Sequence, residues 1–160
     1  MYASTTIANT IIAKNPGRNI MGIVKLVYLA QGWSLANKDP LVSDLPQYWE
    51  CGPVHVAVYD MLRGFGGSPI GAPVPLRGAF VAHVVPEDDA KTHVLLDELV
   101  RVHRQYTDIQ LSNYCHEKGT PWANARAKLG FRRLLHTCIP ETDLLHWFGM
   151  RLIADRLRTA

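Results

Sequence analysis

Apolar residues recur at helical spacing along most of this chain, and Pro and Gly divide the recurring runs. Ile7, Ile11 and Ile12 stand one turn apart after the possible caps Ser4, Thr5 and Thr6, and Pro16-Gly17 closes the run, which predicts a short amphipathic helix. From about Ile20 to Ala36 the chain is apolar nearly all round, with Ile20, Ile23, Val24, Val27, Leu29 and Ala30 covering most faces. Such a helix belongs at the centre of a fold. The intervening "KNPGRN" is a tight connection that leaves the two helices neighbours. "KDPLVSDLPQYWECGPV" has no helical period and should run as a loop with one short extended piece.

Pro53 is expected to open a third helix, because its missing N–H costs nothing at a first helical position, with Val54, Val58, Met61, Leu62 and Phe65 on one face until Gly66-Gly67. Residues 68 to 90 carry four prolines, which excludes a long helix and leaves irregular chain, with "AFVAHVV" as a strand or buried coil. From Lys91 to Tyr106 the helical period returns, placing Leu95, Leu99, Val102 and Tyr106 on one stripe. Thr107 and Gln110 have capping-box spacing for a short helix holding Leu111, Tyr114 and Cys115, which Gly119 ends. Thr120-Pro121 starts another at once. Leu145, Phe148, Leu152 and Ile153 predict a closing amphipathic helix, with Asp143 at its positive end and Arg156 and Arg158 at its negative end. The fold expected is mainly α: a compact single-domain bundle of about six short-to-medium helices, with a Pro-rich irregular or short β insertion.

Length supports this picture, since 160 residues can bury a core without a metal or disulfide staple. Three widely spaced cysteines (Cys51, Cys115, Cys138) fit reduced thiols better than a disulfide framework. The longest apolar run is interrupted by Lys25 and Gln31 and is short for a bilayer. The first residues lack a basic start followed by an apolar block. A soluble cytoplasmic protein is the expectation. Net charge is only +3, and apart from "RAKLGFRR" (126 to 133) and the tail the cations are scattered, so a solvated surface is favoured over a nucleic-acid stripe.

Candidate chemistry is thin. Cys115 and His116 adjoin, but neighbours on a helix diverge by about 100°, so a catalytic partner would have to come from His55, His136 or His146, and no nucleophile elbow is present. Cys51 with His55, and His136 with Cys138, are the nearest approach to metal-ligand spacing, without paired knuckles. Glu87, Asp88 and Asp89 read as solvated acids that start a helix. "GFGGSPIG" lacks the Lys-Ser/Thr ending of a phosphate loop. By contrast, His116, Trp122 and Arg126 fall on two consecutive short helices, where an imidazole and an indole fix the angle of a joint.

Four stretches carry a resemblance: "KLVYLAQGW" (25 to 33), "WECGPVHVAVYDMLRGFG" (49 to 66), "LDELVRVHRQYTDIQLSNYCHEKGTPWANAR" (96 to 126) and "CIPETDLLHWF" (138 to 148). In this order they resemble the Panacea domain, the antitoxin domain of SocA-like and GepA-like phage-associated proteins. The motif residues are Tyr28, Trp33, Trp49, Gly52, Pro53, Val54, Tyr59, Leu111, Ser112, His116, Glu117, Pro121, Trp122 and Arg126. Cys51 and His55-Val56 depart from the family pattern at the start of the third helix. The resemblance implies one domain over 1 to 160 with a variable insertion at 68 to 90, no catalysis and no cofactor. It also implies a cognate protein toxin, encoded beside it, that the chain neutralises by direct binding. An ATP-dependent protease enters as a partner if the chain acts instead as a proteolytic adaptor. A DNA-binding regulator and a Cys-dependent enzyme are the remaining readings. A neutralising face must bury roughly 600 to 1,000 Å² per partner. The motif residues, with Trp147, are expected to build the interior, and the contact face to lie on 68 to 90 and the helices beside it.

Overall fold

A computed structural model describes residues 1–159 of the chain, with side-chain surroundings up to Ala154. Its helices are α1 (Ser4–Lys14), α2 (Ile20–Ala36), α3 (Val56–Leu62), α4 (Ala90–His103), α5 (Asp108–Cys115), α6 (Pro121–Arg126) and α7 (Glu141–Thr159), and a hairpin of β1 (Gln47–Trp49) and β2 (Gly52–Val54) stands before α3. The architecture is mainly α. The all-round apolar helix is the axis: α2 buries Ile23, Val24, Leu26, Val27, Tyr28, Leu29 and Ala30, and α1, α4, α5 and α7 pack around it. Asn19 caps its start, its side chain accepting from Gly22 N at 3.2 Å.

Several boundaries differ from the sequence expectation, each for a physical reason. Ser4 does not cap α1. It lies inside the first turn, and the remote Asp44 carboxylate takes the capping role, accepting from Ser4 N at 2.8 Å and Ser4 Oγ at 2.6 Å. Pro53 opens no helix. It pairs with Tyr48 in the antiparallel hairpin, where the register is Gln47 with Val54 and Trp49 with Gly52. The reversal at Glu50-Cys51 is completed by Gly52 at φ +101°, a left-handed conformation that favours glycine. A proline is tolerated in so short a pair because few ladder bonds are at stake. Residues 136 to 139 run back along β1, with Tyr48 N donating to Thr137 O at 3.0 Å and Ile139 N to Pro46 O at 2.7 Å.

The 68 to 90 segment is irregular, but "AFVAHVV" is neither strand nor buried coil. Phe80 is fully exposed and Val81 and Val84 are open to solvent, while Val85 alone is inserted. Polar side chains of α1 hold this strap: Asn9 donates to the carbonyls of Val74 and His83 and accepts from Val74 N, and Thr10 Oγ1 accepts from Val85 N at 2.9 Å. The core stripe of α4 is Thr92, Leu96, Leu99 and His103, one position round from the expected Leu95, Leu99, Val102 and Tyr106. On α7, Leu144 and Phe148 are buried while Leu145 and Ile153 are exposed. Arg156 and Arg158 lie outside the residues whose side chains are described. The Thr107–Gln110 capping box and the Thr120 cap before Pro121 form as predicted. Gly32 lets α7 approach α2, since a Cβ there would sit 2.1 Å from the Phe148 ring.

Candidate functional site

Lys25 is the one cation on α2, and it is buried. Its ammonium donates to Cys51 O at 2.8 Å and Pro53 O at 3.0 Å, tying the hairpin turn to the central helix. Gly52 has no room for a side chain, because a Cβ would fall 2.5 Å from His116 Nε2 and 2.7 Å from Lys25 Nζ. The His116 and Trp122 rings meet with centroids 4.2 Å apart, and Trp122 Nε1 donates to Trp49 O at 2.8 Å. Trp49 in turn packs on Tyr59 at 4.9 Å and His136 at 5.3 Å. The hairpin, α3 and the α5–α6 joint are thereby fastened at one place.

Electrostatics at this joint oppose nucleophilic chemistry. Burial lowers the Lys25 ammonium from 10.5 to about 8 and pushes the Cys115 thiol up to about 12, so that sulfur stays protonated at neutral pH. Burial, with Lys25 beside it, also lowers His116. Tyr28 is buried, its hydroxyl without a partner among the described residues and its pKa well above the usual phenol range through burial.

The other motif residues are dispersed. Pro53, Val54, Leu111, Ser112 and Pro121 are buried and Trp33 half-buried. Two are not interior at all: Glu117 is exposed, pairing with Arg151 at 2.9 Å, and Arg126 is exposed, its guanidinium 5.1 Å from the Phe131 ring centroid. Both sit past the ends of the buried stripes of α5 and α6. Cys51 and Cys138 are exposed, Cys115 is buried, and all three are free thiols. Among the described residues no group of three His, Cys, Asp or Glu side chains is placed to hold a metal ion, and no helix is long and apolar enough to cross a membrane.

A second polar knot was not foreseen. Asp44 receives His55 Nδ1 at 3.3 Å as well as the two Ser4 donors. Burial alone would raise this carboxyl, but the bonds from His55 and Ser4 outweigh it and hold it at about 2. The only signal in the sequence was a histidine between apolar residues.

Beyond the joint, an apolar groove of about 580 Å³ opens between the C-terminal end of α2, α4 and α7. Trp33, Leu95, Val102, Tyr106, Phe148 and Leu152 line it. The unburied stripe of α4 is therefore one wall of this groove. Its rim charges are matched within the chain: Lys91 with Asp39 at 2.8 Å, Arg101 with Glu98 at 2.6 Å, and Arg151 with Glu117.

The family model "Antitoxin SocA-like, Panacea domain" matches residues 23–123, more than half of the chain. The chain belongs to this family. The Panacea match runs from within α2 into α6, so it contains the Lys25–Gly52–His116 joint and the strap, while α1, residues 124 to 140 and α7 lie outside it. No curated protein and no solved structure matches the chain.

Proposed function

We propose that this protein is an antitoxin that silences a cognate protein toxin by gripping it directly in the cytoplasm, without chemistry of its own. The observation that carries this reading is the Panacea match over residues 23–123. The form of the groove supports it: an apolar trough whose rim ion pairs are already satisfied favours an apolar segment of a partner over a charged ligand. The exposed Phe80, Val81 and Val84 on the strap add apolar surface of the same kind. In this reading residues 1 to 160 act as one domain, and the joint residues around Lys25, Gly52, His116 and Trp122 hold the scaffold that presents those surfaces.

Expressing the product of the neighbouring reading frame alone, and then with this chain, tests the proposal. The expected result is growth arrest by the first, rescue by the pair, and a purified complex in which the toxin is intact. A toxin that persists unbound beside this chain, and vanishes only when an ATP-dependent protease and ATP are added, would replace direct neutralisation by the proteolytic-adaptor reading.

A further inference from the structure

From Lys118 to Pro140 the chain contains five cations and not one carboxylate. Every Asp and Glu lies elsewhere, so this stretch carries more positive charge than the net +3 of the whole chain. Lys118, Arg126, Lys128, Arg132 and Arg133 are all exposed. None has a carboxylate within 4.0 Å among the described residues, whereas Lys14, Arg18, Arg63, Lys91, Arg101 and Arg151 are each paired. Asp143 borders the same depression as Lys128 without reaching pairing distance.

The backbone makes this stretch a compact knuckle. α6 ends at Arg126, Gly130 reverses the chain at φ +89°, and a single 3₁₀ turn over Phe131–Arg133 follows. Phe131 is buried and roots the turn, with Tyr48 and Trp122 edge-on to it at 6.3 and 5.7 Å. Leu129, at the tip between Lys128 and Gly130, is fully exposed. An exposed apolar tip, next to Lys128 in the chain and followed by Arg132 and Arg133 on a rooted turn, has the ingredients of an interface: an apolar anchor with unpaired charge beside it.

We infer that this knuckle is an interaction surface for an acidic protein partner, one that offers carboxylates around an apolar socket for Leu129. Nucleic acid shares the negative charge but fits less well. α6 rises only about 9 Å, too short to lie along a groove. Five cations are also fewer than the roughly six to ten phosphate contacts of salt-sensitive DNA binders, and phosphates give Leu129 nothing to enter. Leu129 and four of the five cations, all but Lys118, lie outside the family-matched residues, so the inference is independent of the antitoxin reading.

The test uses the full chain and four fluorescent probes: an acidic peptide of about twenty residues with Leu and Phe at its centre, an all-Glu peptide of equal length, and single-stranded and duplex DNA of similar size. Anisotropy at low and near-physiological salt gives the affinities. The expected order places the Leu/Phe-centred acidic peptide at least about ten-fold tighter than the other three. Arg132→Glu with Arg133→Glu should abolish that binding. Leu129→Ala should reduce it to the all-Glu level while leaving all-Glu binding unchanged. These positions are exposed, and an unaltered thermal melt confirms that each variant folds. DNA bound as tightly as the Leu/Phe-centred peptide, or indifference of that peptide to Leu129→Ala, overturns the proposal.

Discussion

Raising the pH from 7 to 9 should stabilise this protein, and Lys25 is the reason. Its ammonium is buried, held by two backbone carbonyls and, among the described residues, by no carboxylate. Folding therefore lowers its pKa from 10.5 to about 8. Below about pH 8 both states hold the proton and the native state carries the penalty of a buried charge. Between 8 and 10.5 the unfolded chain keeps a proton that the native chain releases, so stability rises with pH. Cys115 opposes this from pH 9 upward: its native thiol stays protonated to about 12 while the unfolded thiol ionises near 9. The net gain is confined to roughly one pH unit, at most about 1.4 kcal/mol. For a chain of this length that is a rise of at most about 3–6 °C in Tm. Denaturant melts at pH 7, 8, 9 and 10 in constant salt should show a rise and then a plateau. Lys25→Met removes the titrating group and leaves the Cys51 and Pro53 carbonyls without their donor. A loss of about 2 kcal/mol at pH 7 is expected, with no rise toward pH 9. A wild-type curve that is flat or falls between pH 7 and 9, or a Lys25→Met curve that keeps the rise, would refute the account.

Gly32→Ala should destabilise by about 2 kcal/mol even though alanine favours a helix by about 1 kcal/mol, because the methyl meets the Phe148 ring. Adding Phe148→Leu should return at least half of that loss, and strictly additive melts would refute the steric explanation. Asp44→Asn should cost about 1–2 kcal/mol at pH 7 through weakened bonds to Ser4 and His55. Since the Asp44 pKa is depressed from 3.8 to about 2, the wild-type advantage should hold above pH 4 and fade toward pH 2, and an advantage unchanged at pH 2 contradicts this. In the proposed antitoxin role, Leu95→Arg and Val102→Arg, on the half-buried groove wall, should weaken toxin binding by at least about ten-fold in variants whose thermal melts remain cooperative. Full binding by both would refute the groove as the proposed toxin seat.

What could be read from the sequence was local. The limits of α2, the Thr107–Gln110 capping box and the Thr120-Pro121 start depend on a few neighbouring residues, and all three form as the sequence predicts. What failed depended on distant partners. The start of α1 is capped from Asp44, forty positions away, and Pro53 has two permitted uses, helix opening or strand, between which only the packing of the hairpin decides. The α4 stripe departs from the expected one because Thr92 and His103 face the core. A pattern search prefers the more apolar Leu95, Val102 and Tyr106, and those line the groove. At the joint, His116 and Trp122 do meet, but the spacing gave no warning that Lys25 would arrive beneath them or that Glu117 and Arg126 would face solvent.

The same distinction separates what this protein can vary from what it cannot. Around Gly52, four elements converge within hydrogen-bond distance or closer: α2 through Lys25, the hairpin through the Cys51 and Pro53 carbonyls, α5 through His116, and α6 through the Trp122 bond to Trp49. A change to any of them strands a buried polar group or forces an overlap, each worth about 1–3 kcal/mol. The strap, the outer face of α4 and the 126 to 133 knuckle meet solvent, where a substitution typically shifts stability by less than about 0.5 kcal/mol. Charge and apolar content on those surfaces can therefore be rewritten while the joint keeps the helices in place. In the proposed antitoxin role, specificity would then lie in residues the fold does not depend on.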